Sequence, residues 1–407
     1  MKKVFYAIAI AATIFTGCSS DDDEPVIKNP VEGELSGEIT ANKTLPYGNY
    51  KLKGMVKINA GVTLTIEKGS TFTADKRDGE AGLVVLKDGI LIANGTADEP
   101  IVFTEQSKVA GSWAGIIMYG DAPIKGNGGV TSATSEDGLK LNYGGAKVNH
   151  SSGSLKYVRV EYAGLVITTN NKEHNGFSFY SVGAGTVLEN LVSYKGSDDG
   201  FEFYGGSVSA KNLISYGNSD DSFDWQDSWS GELNSNWFAY QTGKANYGME
   251  VEAKGNDNAF WPKVSNITLK RAADAVAETP AGEIQLDAFQ FKSNGNGEFS
   301  NVVVDGYKSQ VAGTIGGVTV NAFPGGAVQV LDVNTYNNQI AGGKIKFSNI
   351  KITNSSNTFV SGNAGFVLSA ASFLPGTNWG PTNTATGANL TAGKWATVDG
   401  VNLLANL

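Results

Sequence analysis

The sequence predicts an all-β chain: a single-stranded right-handed parallel β-helix, a solenoid closed by caps at both ends and preceded by an export signal. Three observations carry this. Short stretches of alternating apolar and polar residues are separated by Gly, Asn, Asp or Ser, and amphipathic helical periodicity is hard to find. Five segments line up, Gly176-Phe177-Ser178-Phe179, Gly200-Phe201-Glu202-Phe203, Ser222-Phe223-Asp224-Trp225, Gly248-Met249-Glu250-Val251 and Ala288-Phe289-Gln290-Phe291, at steps of 24, 22, 26 and 40 residues. A second strand of different register follows, with asparagines in one column at Asn190, Asn212, Asn266, Asn301 and Asn349.

One such repeat holds two or three short strands and cannot bury its apolar face alone. Stacking coil on coil buries a continuous column and pairs each strand in parallel with the next. Successive strand side chains face opposite ways, so Phe177, Phe201, Phe223, Met249 and Phe289 form one inward ladder. Phe179, Phe203, Trp225, Val251 and Phe291 form a second. The asparagines suit sharp corners, where the side-chain amide bonds the backbone. The step of 40 marks a loop insertion. A β-propeller needs about 40 residues and four strands per blade, and a β-sandwich does not explain a self-similar step near 22.

The repeat is already present near the start, where Leu64-Thr65-Ile66-Glu67-Lys68-Gly69 recurs as Val84-Val85-Leu86-Lys87-Asp88-Gly89. The β-helix is expected over 37–360, with 37–61 capping its start. Residues 361–407, which include Trp379 and Trp395, have lost the repeat and are expected to cap the end, because an open coil is an unpaired edge. The Gly-, Asn- and Ser-rich stretch 121–153 reads as a long loop thrown out from one coil.

The first residues have another purpose. Met1-Lys2-Lys3 is a short positive end, and Val4 to Phe15 is an apolar run too short to span a bilayer. Ile14-Phe15-Thr16-Gly17-Cys18 resembles the bacterial lipobox, which implies a lipoprotein signal peptide over 1–17 and lipid on Cys18, the only cysteine of the chain. An ordinary signal peptide with a free cysteine is the alternative. Ser19-Ser20-Asp21-Asp22-Asp23-Glu24 resembles the surface-export signal of Bacteroidota lipoproteins and also suits a solvated tether over 18–36. The resemblance implies an outer-membrane lipoprotein facing outward, with the membrane as its first partner.

Gly61-Val62-Thr63-Leu64-Thr65-Ile66-Glu67, Asp198-Asp199-Gly200-Phe201-Glu202-Phe203-Tyr204-Gly205-Gly206 and Asp220-Asp221-Ser222-Phe223-Asp224-Trp225 resemble a family of uncharacterised Bacteroidota surface lipoproteins with a pectate-lyase-like β-helix. The resemblance covers most of 35–305 and brings no known activity.

The chemistry is expected on one acidic face. Outward positions, coil by coil, are Ser178, Glu202, Asp224, Glu250 and Gln290. Coils stack about 4.8 Å apart, so Glu202, Asp224 and Glu250 form a row of like charges, which is destabilising in isolation. The preceding corner adds Asp198, Asp199, Asp220 and Asp221. Three accounts stand open. Ca²⁺ takes six to eight hard oxygens and would remove the repulsion, with the four corner aspartates as ligands. The aspartates can instead be turn formers beneath a solvated ladder. Or two carboxylates act as acid and base in glycoside hydrolysis, with Asp198, Asp220 and Asp221 as first suspects. The β-helix pectinases that the fold resembles also use His and Arg or Lys, and this chain has only His150 and His174. Trp229, Trp237 and Trp261 follow the acidic coils; they either stack on sugar rings or pack their loops against the helix.

The net charge of -9 argues against nucleic acid. The expected function is lipid-anchored binding of a glycan or other extracellular ligand, as an adhesin or an accessory of an outer-membrane nutrient importer. The rival is a polysaccharide lyase or glycoside hydrolase acting on acidic polysaccharide.

Overall fold

A computed structural model describes residues 29–77, 79–167, 172–255, 261–277, 286–315, 318–373 and 379–407. Cys18 and the acidic cluster after it lie outside the described residues.

Twenty-three strands form one sheet whose pairings are all parallel, and it winds into a solenoid. The two inward ladders are continuous over the length of the molecule. One runs Val56, Leu83, Ile116, Phe177, Phe201, Phe223, Met249, Phe289 and Val328 in register. The other runs Ile58, Val85, Met118, Phe179, Phe203, Trp225, Val251, Phe291 and Val330. The stacking distance is that of the coils: the rings of Phe177 and Phe201 lie 5.0 Å apart and nearly parallel, and those of Phe179 and Phe203 also lie 5.0 Å apart. These columns are buried and belong to one continuous core.

The asparagine column turns the chain. Asn190, Asn212, Asn266, Asn301 and Asn349 all have φ between 53 and 59°. Asparagine tolerates this left-handed backbone better than other side chains that carry a Cβ. Each is skipped in the strand register, so the strand bends there. Asn236 completes the column at φ 59°. The sequence hid it, because Asn234-Ser235-Asn236 offers two asparagines and Asn234 serves elsewhere, accepting from the Ala210 N–H and donating to the Lys263 carbonyl. Side-chain amides link neighbouring coils, Asn212 donating to Asn190 at 3.0 Å and Asn236 to Asn212 at 2.9 Å.

Both ends differ from the sequence expectation. The parallel sheet begins at Val31, inside the segment expected as tether: Val31–Ile39 pairs with Gly48–Ile58. Only Leu35 and Ile39 of that strand are buried, while Glu32, Glu34 and Glu38 face solvent and guard its free edge. The C-terminal segment divides. Phe373 and Trp379 pack on Phe347 and Phe359 at the last coil. The chain then runs back along the outside as a strap. Thr386 N–H donates to Asn301, Ala388 N–H to Thr268, Asn389 N–H to Asn236 and Trp395 N–H to the Ala97 carbonyl. Arg159 holds the Lys394 and Thr397 carbonyls, and Lys108 pairs with Asp399 at 2.6 Å. Under the strap, Val192, Ile214 and Phe238 form a second apolar cluster with Trp395, Val398 and Leu403. These outward side chains would otherwise meet water.

Residues between the strands Ile116–Tyr119 and Gly153–Glu161 make the expected excursion. It covers the outward tyrosines Tyr119, Tyr180 and Tyr204, whose rings stack 4.9 and 4.0 Å apart. Lys87 and Lys147 clamp its first residue, Asp121.

Candidate functional site: an acidic cleft

The outward column is in register as the alternation demands: Ser178 opposite Glu202, Glu202 opposite Asp224, Asp224 opposite Glu250, and Glu250 opposite Gln290. It is not an open wall. The excursion brings Glu136 over the ladder, bonded to Tyr204 and paired with Lys172, and the hairpin of Val166–Ile167 with Lys172–Glu173 closes the same side. Glu202 and Asp224 are consequently 5% and 8% exposed. What remains open is a cleft of about 390 Å³, lined by ten carboxylates and three lysines.

The corner aspartates have two kinds of work. Asp199 accepts the Asp221 N–H at 2.9 Å, and Asp221 accepts the Tyr247 N–H at 2.6 Å, so these two tie one coil to the next. Both are buried, whereas Asp198 and Asp220 sit half-buried at the mouth, with Asn246 donating to Asp220. All four line the cleft together with the ladder. These bonds run from coil to coil rather than within a turn, and the two carboxylates also stand beside other carboxylates of the cleft.

That crowding governs the electrostatics. Glu202 is held by amides, from Asn175 at 2.7 Å and Gln226 at 2.7 Å. Burial, then the charge of Glu136, still pushes its acid up to about 7. Burial raises Asp224 well above the usual carboxylate range, with the charges of Glu202 and Glu250 adding to it. Asp199 is raised by burial and then by Asp198, Asp220 and Asp221. Asp224 Oδ1 is buried and meets no hydrogen-bond donor among the described residues. Compensation comes at one end, where Lys292 lies 2.8 Å from Glu250 and 3.0 Å from Glu252. Two triads bring one carboxylate oxygen from each residue within 4.8 Å of one another: Asp198, Asp199 and Asp220, and Asp199, Glu202 and Asp224.

The pectate-lyase-like beta helix domain family matches residues 37–397. The chain belongs to this family. No curated protein matches it.

In this pectate-lyase-like β-helix protein the tryptophans do not form the expected sugar platform. Trp229 and Trp237 are fully buried inside the solenoid. Trp229 stacks on Phe203 at 4.4 Å and donates to the Val208 carbonyl; Trp237 packs on Phe223 at 4.7 Å and donates to the Ala210 carbonyl. Trp237 takes the inner column between Leu213 and Ile267, directly after the corner Asn236, whereas Trp229 lies between strands. Trp261 is half-buried and lies outside the cleft lining, with the Lys346 ammonium 4.3 Å from its ring centre. Neither histidine lines the cleft. His174 is buried, and burial holds it neutral with a pKa of about 4; His150 bonds Asp88 on the excursion side.

Glu252 and Lys292 were legible in the sequence, since they stand two residues beyond Glu250 and Gln290 and so share their outward face. Glu136, Lys172 and Glu173 were not, because they come from excursions with no periodicity.

Proposed function

We propose that this pectate-lyase-like β-helix protein is a lipid-anchored binding protein of the cell surface, whose acidic cleft holds an extracellular glycan through bound calcium. The fold of the family suggests association with polysaccharide. The observation that carries the cation is the cleft itself, with ten carboxylates against three lysines. A carboxylate set suits a hard divalent ion, with Asp198 and Asp220 at the mouth and Asp199 and Asp221 buried behind them as its ligands. An anionic polysaccharide would be repelled from the bare cleft, so calcium both neutralises the site and offers open coordination positions to sugar oxygens.

Binding is preferred here because the carboxylates are crowded enough to share a cation, one oxygen of each triad member lying within 4.8 Å of the others. The lipid attachment rests on Cys18 as the only cysteine, placed at the end of a lipobox-like sequence. An outer-membrane location, with a role as adhesin or importer accessory, follows from that anchor and from the acidic residues after it.

The test is a panel of plant and host polysaccharides presented to the full-length protein, with Ca²⁺ or with chelator. Calcium-dependent retention without new reducing ends or unsaturated products is the expected result. Products that vanish in Asp220→Asn or Asp221→Asn would replace this reading with an enzyme. In cells, Cys18→Ser is expected to release the protein from the membrane fraction.

A further inference from the structure

We infer that the cleft holds two cations rather than one, with Asp199 shared between an outer site at the mouth and an inner site formed by Asp199, Glu202 and Asp224. This deepens the reading above, which needs only the outer ion.

The inner triad is built from three separate places on the coils. Asp199 comes from the corner, Glu202 from the strand Phe201–Tyr204, and Asp224 from the paired strand Phe223–Gln226 of the next coil. One oxygen from each lies within 4.8 Å of the others. Oxygens held about 2.4 Å from a common Ca²⁺ stand about 4 Å apart, so the three need move by only about half an ångström. Mg²⁺, at about 2.1 Å and with a near-ideal octahedron, asks for a tighter set.

The supporting groups fix the triad as outer-shell partners fix metal ligands. Gln226 and Asn175 each donate to a different oxygen of Glu202, and the Asp221 N–H donates to Asp199 Oδ1. Asp224 differs. It is only 8% exposed, it lines the cleft, and its Oδ1 has no donor among the described residues. A buried carboxylate oxygen without a donor loses its water and gains nothing in return. A cation between the three carboxylates supplies the missing partner.

The same distance criterion joins Asp198, Asp199 and Asp220, and Asp199 alone belongs to both triads. The two sets differ in exposure: Asp198 and Asp220 are half-buried, Glu202 and Asp224 buried. The outer ion therefore faces ligand, and the inner one is enclosed by protein and ties two coils together.

The experiment is calcium counting on the full-length protein after metal stripping, by isothermal titration and native mass spectrometry. Two Ca²⁺ per chain are expected in the wild type. Asp224→Asn and Glu202→Gln should each keep one, Asp198→Asn should keep one, and Asp199→Asn should keep none. Circular dichroism checks each fold, and if one inner-site variant fails to fold, the other decides. A wild type that binds one ion or none, or an inner-site variant that still binds two, overturns the inference. Glycan retention on the same preparations separates the two readings. Capture with one ion sinks the inner site alone, and two ions without capture sinks the glycan reading alone.

Discussion

Removing the middle charge of the ladder should raise stability in chelator and raise it less in calcium. The coils place Glu202, Asp224 and Glu250 on successive paired strands, about 4.8 Å apart. At an effective dielectric near 20, two unit charges at that spacing repel by about 3.5 kcal/mol. A fully ionised row would therefore hold about 7 kcal/mol of neighbour repulsion, part of it relieved by Lys292 on Glu250 and part by proton uptake. Asp224→Asn keeps the shape and deletes both neighbour repulsions. In chelator the variant should melt several degrees above the wild type. In calcium at 100 times its dissociation constant, the one ion that the variant has lost stabilises the wild type by about 2.7 kcal/mol, and the variant's advantage should shrink by that amount. Differential scanning calorimetry of both proteins in both buffers reads this directly. A variant less stable than the wild type in chelator as well as in calcium would show that the row is not under charge strain, and the electrostatic reasoning would fail.

Three further outcomes follow from the rest of the molecule. Trp395 is 2% exposed beneath the strap and lies edge-on to Tyr157 at 5.8 Å. Trp395→Ala should cost about 3–5 kcal/mol locally, read as faster amide exchange across 383–407, and unchanged exchange would mean that the strap is held by its hydrogen bonds alone. Asn236 has φ 59°, so Asn236→Ala should lose about 1–2 kcal/mol of backbone preference plus the amide link to Asn212. Asn236→Gly should lose less, and equal urea midpoints for the two variants would contradict the left-handed requirement. Asp287 is buried, bonded to Gln329 at 2.9 Å, and burial raises its acid well above the usual range. The stability from this raised acid is present below an unfolded pKa of about 3.9 and is lost as pH climbs toward the folded value. Asp287→Asn should therefore match the wild type near pH 4 and exceed it at pH 8 in urea unfolding; a variant weaker at pH 8 would place a charged carboxylate there.

What the sequence by itself determined is whatever a period can carry. Phe177, Phe201 and Phe223 recur on a step near one coil, and parallel stacking turns that recurrence into contact, so the inward ladders, the Asn corners and the Glu202–Asp224–Glu250 row were all readable before any coordinates. The tertiary structure decided what has no period. Glu136 and Lys172 reach the row from excursions, and they convert an exposed wall into a cleft whose buried carboxylates bind protons tightly. Trp229 follows its acidic strand in sequence like a loop residue, yet the interior takes its ring, and burial of so large an apolar surface outweighs local pattern. The strap shows the same limit, because Thr386 to Asp399 find partners on coils more than 80 residues away in sequence. Local alternation fixes which way a side chain points; only the folded chain fixes what comes to cover it.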